Sequence, residues 1–238
     1  MAATVQDAPK DLAVMADSRA RLYLLISKAL LPPGEELAEM LRSGEAAEVM
    51  AAALEVCPHL SCMESCGAPS ADFLACPPDI AALRLEHTRL FADPRQLLVP
   101  CYESMYLDSS GLVMGRPAQQ VRRAYAAEGL GLAERFHDLP DHLAVEMEFM
   151  AYLCSREGSA WIEADAANAA RWAQKEAAFL HDHLLRWLPA FRDRLSRETR
   201  LPFYNDVSLL AHVLALSDYQ MALALAGRRQ GSRAEHNV

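Results

Sequence analysis

The chain has 238 residues, of which 52% are apolar and 23% charged, a balance that suits a folded chain with a sizeable core and argues against disorder. Its 23 basic and 32 acidic residues give a net charge of −9, which argues against a nucleic-acid-binding face and suits a cationic partner. The sequence has no uninterrupted run of about 18 apolar residues and no charged-then-apolar leader in MAATVQDAPKDLAVMADSR, so it predicts a cytoplasmic protein without a membrane span, whose six cysteines are free thiols or ligands, not disulfides.

The elements follow in chain order. Residues 10–31 place Leu12, Met15, Leu22, Leu25, Ile26 and Ala29 along one helical face, and Pro32 and Pro33 stop the run. GEELAEMLRSG and EAAEVMAAALEV predict two short helices parted by Gly44 and closed by Pro58. Residues 57–78 read as a loop. A helix after Pro78 carries Ile80, Leu83, His87, Leu90 and Phe91, and a second long connection runs through DPRQLLVPCYESMYLDSSGLVMG.

Pro117 opens a helix bearing Val121, Ala124 and Tyr125, with Gly129 as its cap. The next helix is predicted from Asp141 to Glu157, burying Leu143, Met147, Met150 and Cys154 and ending at Gly158. A long one spans 160–187 until Pro189 interrupts it, a short one covers 190–198, and the last runs 205–226 to Gly227. Residues 227–238 read as a disordered tail. Eight or nine helices and no convincing strand predict an all-α single domain over 10–226, built from amphipathic stripes packed on one another.

LPDHLAVEMEFM, residues 139–150, holds the densest titratable chemistry. A zinc-protease helix needs His-Glu-x-x-His, which is absent, and Glu-x-x-His occurs once, from Glu134 to His137. His142 and Glu146 share a helix face, but two ligands make no site. Asp141 suits the helix start, where a carboxylate meets free backbone N–H groups; capping does not require His142. Glu146 and Glu148 point to different faces. Cys57, Cys62, Cys66 and Cys76, with four, three and nine residues between them and His59 nearby, are candidate metal or redox ligands. They leave open a metal- or redox-responsive helical protein as the alternative. No Gly-x-Ser-x-Gly elbow or phosphate loop is present, so no enzyme is predicted.

Taken in order, LRLEHTRLFADPRQLLVPCYESMYLD, VRRAYAAEGLG, LPDHLAVEMEFMAYL and FLHDHLLRWLPAFRDRL resemble the TorD/DmsD/NarJ-like redox-enzyme maturation chaperones over roughly residues 15–225. The resemblance implies an all-helical cytoplasmic chaperone with no stably bound cofactor of its own. Such a chaperone would bind the twin-arginine signal peptide and catalytic subunit of a molybdoenzyme precursor. It would delay export until the client receives molybdopterin guanine dinucleotide. It further implies a hinge near 129–141, with Asp141 and His142 upon it, and a client-binding loop carrying Tyr102, Glu103, Ser104 and Tyr106. The state implied is a monomer or a domain-swapped dimer. Leu139 and Cys101 stand where many members carry proline, and the cysteine-bearing insert 57–76 lies outside the resemblance. Physically, Glu103, Asp108, Asp141, Glu146 and Glu148 offer charge to guanidinium groups, and Tyr102, Tyr106, Phe149 and Met150 offer apolar contact. Phe149 or Met150 is expected in the core.

Overall fold

The structure is a computed structural model that describes residues 9–61, 72–93, 95–108, 115–132 and 139–234. Helix α1 (Pro9–Leu30) starts on a proline, whose missing N–H costs nothing in a first turn. Gly44, at φ +86°, turns the chain between α2 (Glu35–Ser43) and α3 (Glu45–Val56), a left-handed position that a side chain would strain. A 3-10 turn (Pro58–Ser61) and the short α4 (Asp72–Ala75) follow. Asp79 caps α5 (Ile80–His87) by accepting from the Ala81 N–H at 3.1 Å, and α5 runs on into a π turn, Thr88–Ala92.

After α6 (Ser104–Leu107) come α7 (Arg116–Ala127) and α8 (Leu143–Ile162). Asp165 caps α9 (Ala166–Phe179), which passes through a π turn, Leu180–Leu184, into α10 (Leu185–Glu198). The last helix is α11 (Pro202–Ala234). Among the described residues nine helices have eight or more residues and none forms a strand, so the all-α expectation holds. The one β feature there is an isolated antiparallel bridge, Tyr102 to His142.

Helices α1 and α8 form the central pair; α9 covers α8, α11 covers α9 and α10, and α3 covers α1. The central pair is antiparallel, since Ser27 reaches Glu148 at one end while Gly158 lies against Ala13 and Ala16 at the other. The sequence reading ended this helix at Gly158; the helix instead continues to Ile162. A Cβ at Gly158 would sit 3.3 Å from Ala16 Cβ, so the glycine is there for close approach of α1, and the packing offsets its weak helix propensity.

Inside the bundle Arg19 of α1 ion-pairs with Glu157 of α8, with Glu176 of α9 at 2.8 Å and with Asp218 of α11 at 3.4 Å, all four side chains fully buried. The Trp161 indole N–H donates to Glu157 at 2.6 Å, and His59 Nε2 lies 2.7 Å from Asp218. One guanidinium thus ties four helices together, at a desolvation cost that its three carboxylate partners offset. Three acids exceed one base here. Burial pushes the Glu176 carboxyl up to about 8 against the pull of Arg19, with the charges of Glu157 and Asp218 adding to the rise.

Three further expectations change. Pro189 lies inside α10 and does not interrupt it; the π turn just before it, and the flattened ψ of −14° at Leu185, loosen the turn its ring meets. The last helix begins at Pro202 and passes Gly227 to reach Ala234, so the predicted tail is helical at its start, and 235–238 lie outside the described residues. Finally, Pro202–Gly227 is long and apolar enough to cross a membrane by length and composition, although the sequence has no unbroken apolar run there. In the fold 56% of its most apolar window is buried, and it carries Asp218 to the Arg19 cluster, as a core helix does.

Candidate functional site

The bridge between Tyr102 and His142 joins the 100–108 connection to the start of α8. Glu103 N–H donates to the Asp141 carbonyl at 3.0 Å and Leu143 N–H to the Cys101 carbonyl at 2.8 Å. The helix starts two residues later than the sequence predicts, so its cap position falls on His142, whose Nδ1 accepts from the Ala144 N–H at 3.1 Å. Asp141 is thereby released from α8, and its carboxylate accepts from the Ser104 N–H at 2.9 Å, at the head of α6. The cap expected of Asp141 is thus His142, which the sequence reading left unexplained by capping, and Asp141 holds the loop.

Glu103, 1% exposed, meets His183 Nδ1 at 3.0 and 3.2 Å. Glu146, fully buried, accepts from the Trp187 indole N–H at 3.2 Å. Burial, then the neighbouring Glu103 and Asp141, hold the Glu146 carboxyl well above the ordinary carboxylate range, against the Trp187 hydrogen bond. The Tyr106 hydroxyl donates to the Pro100 carbonyl at 2.9 Å, and its ring leans on Trp187 at 5.4 Å. Tyr125 donates to the Pro140 carbonyl at 3.0 Å.

The structure therefore gathers Tyr102, Glu103, Ser104, Tyr106, Asp141, His142 and Glu146 around one loop–helix junction. It turns most of them inward: Glu103, Ser104, Asp141 and Glu146 are buried, and their contacts are within the chain. Phe149 and Met150 are both core, Glu148 is exposed, and Tyr102, Tyr106 and Asp108 are half-buried.

Beside this junction lies a groove of about 190 Å³ between α7, α8 and α9 that the sequence reading did not find. Ala124, Ala127, Phe149 and Phe179 make it apolar, and Glu128, Lys175 and Asp182 stand around it. Phe149 meets Phe179 edge to face at 4.8 Å and Tyr125 at 4.7 Å, which stiffens the floor. His183 links groove and junction: it borders the groove, packs on Phe179 at 4.8 Å and braces against Glu103. Its placement depends on the π turn, which adds a residue to the helical repeat and so escapes a 3.6-residue reading. The only sequence signal was the His-Asp-His triplet, residues 181–183, in a stretch that ordinary periodicity assigns to a plain helix.

Cys57 is in the core, its thiol facing the Met15 carbonyl at 3.7 Å, and burial pushes it up to about 12, far from the thiolate a metal requires. Cys76 is exposed, and Cys62 and Cys66 lie outside the described residues. No group of three or more His, Cys, Asp or Glu among the described residues is placed to hold a metal ion.

Residues 68–193, just over half of the chain, match the family model described as nitrate reductase delta subunit. The chain belongs to this family. It is the TorD/NarJ family that the ordered motifs resemble. Chaperone protein TorD of Vibrio cholerae is 34% identical over 110 residues, 46% of this chain and 48% of the relative. The TorD of Photobacterium profundum is 33% identical over 110 residues, 46% of this chain and 50% of its own. The chain thus spans about half the length of the curated relatives it matches, and those relatives are named as chaperones, not enzymes. A solved chain from Archaeoglobus fulgidus, described as a redox enzyme maturation protein, is 20% identical with a TM-score of 0.46, covering 90% of this chain and 93% of that one. The family match takes in the loop–helix junction and every residue of the groove, while α1–α3 and α11 flank it.

Proposed function

We propose that this member of the nitrate reductase delta subunit family is a cytoplasmic, system-specific chaperone for an exported molybdoenzyme. It binds the twin-arginine signal peptide of the precursor and delays export until molybdopterin guanine dinucleotide has been inserted. It keeps no cofactor of its own and catalyses no reaction. The observation that carries this reading is the groove: an apolar floor edged by carboxylates, in the segment that matches the family. A twin-arginine leader has a basic start and an apolar body. Packed helices offer such a body a trough, and Glu128 and Asp182 offer its guanidinium groups charge-assisted hydrogen bonds.

In this reading the residues at the junction act from behind the groove. Glu103 holds His183 in place, Asp141 fixes the loop that carries Glu103, and His142 starts the helix that brings Phe149 to the floor. They are positioning residues.

Calorimetric titration of the full chain with a client leader peptide tests the proposal. Saturable binding is expected, weaker by roughly tenfold or more when both arginines become alanine, since charged hydrogen bonds contribute about 1.5–3 kcal/mol. Equal affinity for the two peptides would refute it.

A further inference from the structure

Glu128 is already occupied. Lys175 Nζ lies 2.6 Å from Glu128 Oε2, reaching from α9 to the residue that ends α7, across the groove. The Glu128 side chain is 12% exposed and that of Lys175 is 43% exposed, so the acceptor is sheltered and the cation is the partner open to solvent. From the same position the lysine has a second partner: its ammonium lies 4.1 Å from the centroid of the Trp172 ring, over which the Arg156 guanidinium stands at 5.2 Å.

Resting on the reading of the groove as the leader's docking site, we infer that Lys175 is a built-in competitor for Glu128. A client cation gains Glu128 only by displacing Lys175, and this exchange favours arginine over lysine in the leader. An ammonium is a point charge, whereas a guanidinium presents two parallel N–H groups to one carboxylate. A leader lysine would exchange like for like and gain nothing. A leader arginine gains the second hydrogen bond, while Lys175 keeps its contact with Trp172. The groove's charge is consistent with a cationic occupant: the Asp182 carboxylate, at its edge, is met by His181 at 2.8 Å, while the Arg186 guanidinium donates only to the Asp182 backbone carbonyl, at 3.3 Å.

The experiment compares twin-arginine and twin-lysine leader peptides by calorimetry on the full chain. Lys175→Met should tighten the twin-arginine peptide about two- to fivefold, the range of a partly exposed ion pair. Lys175→Arg, which puts a guanidinium on Glu128 from within, should weaken it. Glu128→Gln should abolish the preference for arginine and remove the effect of Lys175→Met in the double variant. Arg171→Gln takes the same charge from α9 at a residue outside the groove and should change affinity little. If the unaltered chain binds no twin-arginine peptide, the functional reading fails. If it binds, the competitor role alone is refuted by any of three results: unchanged or weaker binding by Lys175→Met, unchanged or tighter binding by Lys175→Arg, or equal tightening by Arg171→Gln.

Discussion

Glu176→Gln perturbs the Arg19 cluster at its least settled member. Glu176 Oε2 accepts from the Arg19 guanidinium at 2.8 Å, and its carboxyl is pushed from the ordinary 4.5 up to about 8, by burial first and by Glu157 and Asp218 besides. Between those two values the unfolded chain has released the proton that the folded chain still binds, so stability falls as pH rises through this window and falls no further above it. From pH 5 to pH 7.5 the loss amounts to about 3 kcal/mol. Glutamine resembles the protonated carboxyl, keeps an acceptor for Arg19 and has no proton to lose. The variant should match the parent near pH 5 and exceed it by about 3 kcal/mol at pH 7.5, or roughly 6–12 °C in melting temperature for a chain of this size. Urea denaturation at four or five pH values, on both proteins, reads the difference. Parallel pH profiles, or a gap that closes as pH rises, would refute the reasoning.

Arg19→Met leaves Glu157, Glu176 and Asp218 buried without their shared cation and should cost about 3–5 kcal/mol, read as a shift in the urea midpoint. His142→Ala removes the cap of α8 and should cost about 1 kcal/mol, whereas His142→Asn should recover most of it in thermal melts. Asp141→Ala leaves the Ser104 N–H buried and unmet, at about 1–3 kcal/mol, while Asp141→Asn keeps an acceptor there. Maleimide labelling of the native chain should count one thiol fewer after Cys76→Ser and be unchanged after Cys57→Ser or Cys154→Ser, since both of these thiols are buried and pushed up.

Helix content was legible because it is a local property. Alanine and leucine at helical spacing, with Pro33, Pro78 and Pro117 as punctuation, place most of the long helices within a few residues. The failures share one physical cause: a residue's job was set by something far along the chain. Gly158 looks like a stop until α1 is laid against it. Asp141 looks like a cap until the loop supplies the Ser104 N–H. Arg19 looks like a surface charge on α1, because its carboxylates lie 138, 157 and 199 residues away. The groove had no motif to announce it, since Glu128, Phe149 and Lys175 come from three helices and His183 depends on a π turn. The ordered motifs led to the right family, and to the junction that braces the groove more than to the groove itself.

The Arg19 cluster also bears on how the chain comes to be folded. Arg19 and Asp218 meet across 199 residues of sequence, so their contact cannot form until everything between them has been made. A nascent chain would carry α1 out of the ribosome with a guanidinium destined for the interior and no carboxylate yet to receive it. Distant pairings of this kind are closed late and slowly. The central pair of α1 and α8 could therefore set first, with Arg19 held by Glu157, and the contact with Asp218 would lock it only once α11 had followed.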